Sequence, residues 1–227
     1  MIKSDEGFLL SKFKYNENSI IADFYTKTNG KISGIIFGGT SKKIKGYLQV
    51  GNFFHLNINS KNETKVSSIN VEIIKPYTPL YFNNQKKLHC IISAMTLIKN
   101  LTSENEDNKN IFDSLENFFL ELNKKEWLKN YIIWELKFLK YIGYDLNLKN
   151  IVEKELVNNK TVYFVKSSTQ KKIVPNFLVN QDDDKVDLVD ILKGITLVGN
   201  YMEKNIFSPN NMKIPSQRSE FINLLQN

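Results

Sequence analysis

The sequence predicts an α+β protein, a small antiparallel β-barrel followed by a mainly α-helical domain. Three observations carry this. Residues up to about 75 alternate apolar and polar side chains, the period of half-buried strands. After Pro79 the apolar residues recur at the 3.6 period of helices. Pro76 and Pro79 punctuate the change, so residues 1–78 and 79–227 are read as two domains. The 227 residues are 41% hydrophobic and 24% charged, ordinary globular usage. That excludes a wholly disordered chain, a collagen and a coiled-coil rod.

The strands follow in order. Residues 7–15 end at a turn, Asn16-Glu17-Asn18. Residues 19–26 set Ile20, Ala22, Phe24 and Thr26 on one face and Ile21, Asp23 and Tyr25 on the other. Asn29-Gly30 predicts a type I′ hairpin turn, because both residues tolerate positive φ. Residues 31–37 form the third strand, and 38–43 read as a flexible basic loop. Residues 51–58 and 66–74 supply two more strands, split by 59–65. Five short antiparallel strands in so short a span suggest a small barrel, the OB-fold being the commonest that also binds nucleic acid.

In the second domain, Leu88, Ile91, Ile92, Met95 and Ile98 outline an amphipathic helix. Residues 102–110 are a polar, acidic loop, and Ile111 to Leu122 mark a second helix. Trp127, Tyr131, Trp134, Phe138 and Ile142 mark a third, stopped at Gly143. Residues 148–187 are an irregular insertion, with a hairpin through Asn158-Asn159 and a strand over 161–165. Residues 188–202 form a fourth helix capped by Asp187, and 216–225 a fifth after Pro215.

Charge is unevenly placed. The net charge is +7, from 30 Lys and the single Arg218 against 24 acids. Residues 1–78 carry a net +5, and no acidic residue stands between Asp23 and Glu63. That window holds Lys27, Lys31, Lys42, Lys43, Lys45 and Lys61. Lysines without interspersed carboxylates make a one-signed potential that attracts polyanions. Charge alone leaves three readings open: a solvated face, a nucleic-acid surface, and a site for an anionic membrane or protein. A lysine is a point charge, so contacts here favour phosphates over base edges.

No catalytic constellation stands out. The glycines of residues 34–43 lack the order of a phosphate loop. His55 and His89 have no partner at metal spacing, and Cys90 is the only cysteine. Asp182-Asp183-Asp184 reads as a solvated loop before the fourth helix. The expectation is therefore no catalytic residue, no metal and no cofactor. No segment of about 18 apolar residues is present, so no membrane span is expected. Aromatics do interleave with lysines: Phe13 beside Lys12 and Lys14, then Tyr15, Tyr25, Phe37, Tyr47, Phe53 and Phe54. Rings beside lysines are how OB-folds hold single strands, although alternation sends about half of them into the core. Tyr47, after Lys42, Lys43 and Lys45, is the candidate stacking residue.

Several segments carry a resemblance. Asp5-Glu6-Gly7-Phe8-Leu9-Leu10, Glu17-Asn18-Ser19 and Thr26-Lys27-Thr28-Asn29-Gly30-Lys31 open the chain. Gly38-Gly39-Thr40-Ser41-Lys42-Lys43 is a glycine-plus-basic loop. Trp134-Glu135-Leu136-Lys137-Phe138-Leu139-Lys140-Tyr141-Ile142-Gly143-Tyr144-Asp145-Leu146 and Pro215-Ser216-Gln217-Arg218 follow in order. Together they resemble the RecO family of bacterial DNA repair proteins. The resemblance implies an N-terminal OB-fold and a helical domain, and binding of single- and double-stranded DNA. It implies strand annealing and loading of recombinase onto DNA coated by single-strand-binding protein. Implied partners are RecR and that protein's acidic C-terminal tail, in the cytoplasm at the nucleoid and without a membrane. Many family members carry a four-cysteine zinc module after the Leu-Gly-aromatic helix end. Here residues 148–174 hold no cysteine, so the zinc module is read as lost.

Within this reading the DNA-binding candidates are Lys14, Lys27, Lys31, Lys42, Lys43, Lys45 and Tyr47. A tail pocket needs apolar walls and a cation, which the third helix offers in Trp134, Phe138 and Tyr141 near Lys137 and Lys140. An interaction scaffold whose basic barrel binds an acidic protein, without direct DNA binding, is the alternative.

Overall fold

The computed structural model describes residues 2–59, 67–157, 160–166, 171–180 and 186–226. It divides into two compact units, residues 1–113 with 215–221, and 114–214 with 222–227.

The first unit is built on a closed five-stranded barrel of order β1-β2-β3-β5-β4. The strands are β1 (Ile2–Lys14), β2 (Ser19–Thr26), β3 (Gly30–Phe37), β4 (Phe53–Asn59) and β5 (Ser67–Lys75). The long β1 closes it. Its first half pairs with β4 and its second half with β2. The ladders are antiparallel except for a short parallel contact of β3 with β5. Inward side chains such as Leu9, Phe24, Ile36, Phe54 and Ile69 fill the lumen, as strand alternation requires.

The β1–β2 ladder shifts register between Leu9 and Ser11. Leu9 faces Phe24 in the lumen; after the bulge it is Lys12 and Lys14 that pair with Ala22 and Ile20, lumen-side residues. The extra residue inverts the alternation of the strand's end.

The β2–β3 turn differs from the sequence expectation. Positive φ falls on Gly30 (+63°) and not on Asn29, so the connection is a three-residue loop and not type I′. The reason is Asp5. Its carboxylate accepts from the Thr28 hydroxyl at 2.9 Å and the Asn29 side-chain amide at 2.7 Å, which fixes Asn29 in place. Burial pushes the Asp5 carboxyl up, but these bonds and the Glu6 backbone N–H outweigh it and hold it below its usual value.

The expected flexible loop at 38–43 also differs. Ser41 caps a short helix, α1 (Lys42–Tyr47), by accepting from the Ile44 N–H. Six residues are too few to show a period. What holds α1 is contact: Ile44 and Tyr47 pack on the barrel core, and Leu48 is fully buried.

Beyond β5 a 3-10 turn (Thr78–Tyr81) leads to α2 (Gln85–Leu101) and α3 (Lys109–Glu121). Asn84 caps α2, and its buried stripe includes Ile91, Met95 and Ile98, as the spacing predicts. At the start of α3, Phe112 packs on Phe8 and Phe53 at ring separations of 5.7 and 6.1 Å.

The second unit holds α4 (Trp127–Tyr141), α5 (Leu148–Ile151), α6 (Asn176–Val179) and α7 (Leu188–Met202), with α7 packed against α4. Asp187 caps α7 as expected, accepting from the Asp190 N–H at 2.8 Å. The last helix, α8 (Ser216–Gln226), follows Pro215.

Within the insertion read as irregular, the expected strand over 161–165 is β7 (Lys160–Lys166), paired antiparallel with β6 (Glu153–Val157) as the expected hairpin requires, and β8 (Lys171–Val174) completes a three-stranded sheet that the sequence did not show. Every residue of β6 is exposed, so no apolar alternation marked it. The sheet is held by its ladders, the Lys171–Glu155 ion pair at 2.5 Å, and Lys171 over the Phe164 ring at 4.1 Å. The expected turn at Asn158-Asn159, the acids Asp182–Asp184 and Lys61 lie outside the described residues.

Candidate nucleic-acid interface

The predicted lysines separate to the two ends of the barrel. Lys42, Lys43 and Lys45 are exposed on α1, while the apolar side of that helix lies on the core. The β1 bulge brings Lys12 and Lys14 to the same end. Lys12 donates to the Leu48 carbonyl, closing the C-terminus of α1, and Lys14 is exposed at the tip of β1. Burial lowers the Lys12 pKa first, and the nearby positive charge of Lys45 lowers it further. Glu17, in the β1–β2 turn, is an acid of this edge; its carbonyl accepts from Thr40 at 2.9 Å and ties the turn to the loop before α1.

Lys27 and Lys31 belong to the opposite end. Ile20 to Thr26 on β2 spans about 20 Å at ~3.3 Å per residue. Lys27 is exposed on the β2–β3 turn. Lys31 is spent internally: its ammonium donates to the carbonyls of Lys99 (2.9 Å) and Thr102 (2.5 Å), at the C-terminal end of α2. The acidic segment 104–107 lies along this end. Lys31 forms a β-bridge with Glu104, and the Asn105 N–H donates to the Lys31 carbonyl at 2.9 Å. The one-signed potential therefore sits at the α1 end.

Tyr47 is half-buried with its ring 6.2 Å from Phe54, so it packs the lumen. Among the described residues of the barrel the exposed rings are Phe13, Tyr15 and Phe37; Phe82, also exposed, lies beyond it after the 3-10 turn. Lys12 is the residue that sequence reasoning left off the site; its only signal was its spacing from Lys14, and the bulge decides its direction.

On the outer face of the sheet one carboxylate is neutralised. Asp23 accepts from Ser11 and Ser33 at 2.6 Å each and pairs with Lys99 at 2.9 Å. Burial pushes its carboxyl up, but these partners win and hold it below the usual value. Arg218, the sole arginine, is 2% exposed, so the surface charge is carried by lysine.

The expected tail pocket on α4 is not assembled as such. Trp134 and Phe138 are core, stacked at 5.6 Å with parallel planes, and the Trp134 indole donates to the Ser114 carbonyl. Tyr141 is half-buried. Lys137 and Lys140 are exposed, and Lys140 faces Asp145 at 3.6 Å. Trp134 and Phe138, four residues apart, lie on the buried stripe of α4, and Lys137 falls at its exposed edge. The apolar walls and cations coincide elsewhere, in a cavity of about 660 Å³ at the N-terminal ends of α4 and α7. Leu128, Leu188 and Ile191 line it with Lys125, Lys129, Glu126 and Asp187. Among the described residues no group of three or more His, Cys, Asp or Glu is placed to hold a metal, and no helix is long and apolar enough to cross a membrane.

Comparison with known proteins agrees with this architecture. The family model described as Recombination protein O N terminal matches residues 1–77, the barrel, and that of Recombination protein O C terminal matches 84–199. The DNA repair protein RecO of Rickettsia akari is 28% identical over 235 residues, covering 98% of both chains. That of Rickettsia canadensis is 28% identical over 91% of this chain and 90% of its own. That of Rhodospirillum centenum is 20% identical over 96% and 92%. Both halves of the chain thus match one family in order, and the chain belongs to the recombination protein O family, that of the DNA repair protein RecO.

Proposed function

We propose that this protein is a DNA-binding recombination mediator that holds single- and double-stranded DNA at the α1 end of its barrel. The observation that carries the reading is the gathering of Lys12, Lys14, Lys42, Lys43 and Lys45 at that end, with Lys12 bonded to the end of α1 and the other four exposed. Ammonium groups shield the phosphates of two strands and lower their mutual repulsion. Annealing then needs charge neutralisation and proximity, and no covalent step, so the reading assigns no catalytic residue and no cofactor. The same hold on single strands would let the protein act in the cytoplasm on DNA coated by single-strand-binding protein and help load recombinase, with RecR as partner. The cavity beside Lys125 is the better candidate than Trp134–Tyr141 for that coating protein's acidic tail, because its apolar walls Leu128, Leu188 and Ile191 adjoin a cation, with Glu126 and Asp187 at the same rim.

The test is annealing of complementary oligonucleotides by the wild type and by Lys42→Glu/Lys43→Glu/Lys45→Glu. These side chains are exposed, so the fold is retained, as circular dichroism can verify. Charge reversal is expected to abolish acceleration at moderate salt. Equal rates would remove this end of the barrel from the mechanism. Failure of the wild type to bind labelled strands even at low ionic strength would favour the scaffold reading instead.

A further inference from the structure

The outer face of β1–β2–β3 is divided. One row across it, Ser11–Asp23–Ser33, is bridged by Lys99 of α2. The next row, Phe13–Ile21–Ile35, follows on the same face, and Tyr15, whose N–H donates to the Ser19 carbonyl, extends it beside Ser19 and Phe37. Here the cover ends. Phe13 is 51% exposed, Tyr15 58% and Phe37 65%. Ser19, small and 2% exposed, lies between the strands that carry Tyr15 and Phe37. Three bare aromatic rings on one small face are an uncommon expense of apolar surface, and such a patch marks a binding site.

We propose that Phe13, Tyr15 and Phe37 form a stacking platform for the unpaired bases of single-stranded DNA. The proposal rests on the DNA-binding reading above and adds the base-contacting surface. Charge selects the occupant. Phe37 runs directly into the Gly38–Ser41 loop that leads to Lys42 and Lys43, and Lys14 lies between Phe13 and Tyr15 in sequence on the opposite side of the strand. A ligand covering the rings must therefore carry π faces and regularly spaced negative charge, which a single strand supplies at every residue. Asp23, on the same face, is already paired with Lys99, and Glu17 is the acid at the turn. Phe13 and Tyr15 are two residues apart on one strand, about 7 Å, so an extended chain can set successive bases on successive rings. A duplex hides its base faces by stacking, so it engages the lysines and not the rings.

The test measures binding by fluorescence anisotropy with three probes: oligothymidylate, an abasic strand of equal length, and a hairpin duplex. The variants are Phe13→Ala, Tyr15→Ala, Phe37→Ala and Phe37→Leu, the last keeping an apolar side chain without a π face. Each is expected to weaken oligothymidylate binding about tenfold, the range of a lost base–ring stack, without changing the salt slope. Abasic and duplex binding are expected to stay at wild-type strength. Unchanged oligothymidylate affinity, or an equal loss on the abasic strand, overturns the platform. So does loss of a dimer in sedimentation without loss of strand affinity, which would assign the face to a second copy. If the wild type binds none of the probes, the DNA-binding reading itself fails; if it binds and only Lys42→Glu/Lys43→Glu/Lys45→Glu is impaired, only the platform fails.

Discussion

Two glycines with nearly the same backbone angle, at opposite ends of β3, test how tightly segment 104–107 presses on the β2–β3 turn. Gly30 has φ +63° and Gly38 φ +69°. An L-side chain in this region costs about 1–2 kcal/mol at either position. The surroundings differ. A Cβ on Gly30 would lie 2.0 Å from the Glu106 carbonyl oxygen and 2.4 Å from its carbon, both backbone atoms, whereas on Gly38 the nearest atom is the Ile44 Cδ1 at 4.0 Å. Gly30→Ala therefore forces segment 104–107 off β3 and gives up the Asn105 N–H bond to the Lys31 carbonyl. Overpacking of this kind adds about 1–3 kcal/mol and the lost bond about 1, for a total near 4 kcal/mol. At roughly 2–4 °C per kcal/mol, Gly30→Ala is expected to lower Tm by about 10 °C and Gly38→Ala by about 4 °C. Thermal melts followed by circular dichroism measure both. Equal losses would refute the reasoning, because they would mean that segment 104–107 does not press on the turn.

Other expectations follow from the same geometry. Lys42→Ala/Lys43→Ala/Lys45→Ala should flatten the dependence of single-strand affinity on salt by about 2 in log–log slope and cost about 100-fold near 0.1 M salt, with the curves converging toward 1 M. An unaltered slope would show that these ammonium groups do not meet phosphate. Lys31→Met should lower Tm by a few degrees, since two carbonyls at the end of α2 lose their donor, yet leave strand affinity unchanged. A binding loss from that variant would return Lys31 to the interface. Asp23→Ala strands two hydroxyls and an ammonium group, about 3 kcal/mol at neutral pH, toward the lower end for a buried pair because Lys99 is partly exposed. Its folded pKa lies below the ordinary 3.8, so this contribution is complete above 3.8 and fades as pH falls toward the folded value. The Tm gap between Asp23→Asn and wild type should shrink well below pH 3.8, and a gap that widened would reverse the sign of the argument.

What the sequence made legible is what depends on period. The five strands, the stripe of α2, the third and fourth long helices and the Asp187 cap all follow from alternation, 3.6 spacing or capping chemistry. Elements held by tertiary contact were not legible. α1 exists because Ile44 and Tyr47 find the barrel core, and β8 because β7 pairs with it. The site divided in the same way. The acid-free run of lysines marked the barrel as the positive part of the chain, but equal charges at 31 and 42 have opposite fates, one satisfying helix-end carbonyls and one facing solvent. Tyr47 and Phe37 looked alike beside lysines, and only the packing of α1 tells which ring is used up inside. Trp134, Lys137 and Phe138 sit at neighbouring helical positions, and only the packing of α4 tells that the two rings are buried and the lysine is at the exposed edge.

The irregularity in β1 makes electrostatics a matter of counting. Between Leu9 and Ser11 the strand carries one residue more than its neighbour, and everything downstream is half a pleat out of phase. Removing Leu10 would leave every lysine in the chain and restore strict parity, turning Lys12 and Lys14 away from the lumen side and Phe13 toward it. The location of the protein's positive pole is thus written in the length of one strand as much as in its composition, and a single-codon deletion there would rearrange the surface potential more than most substitutions could.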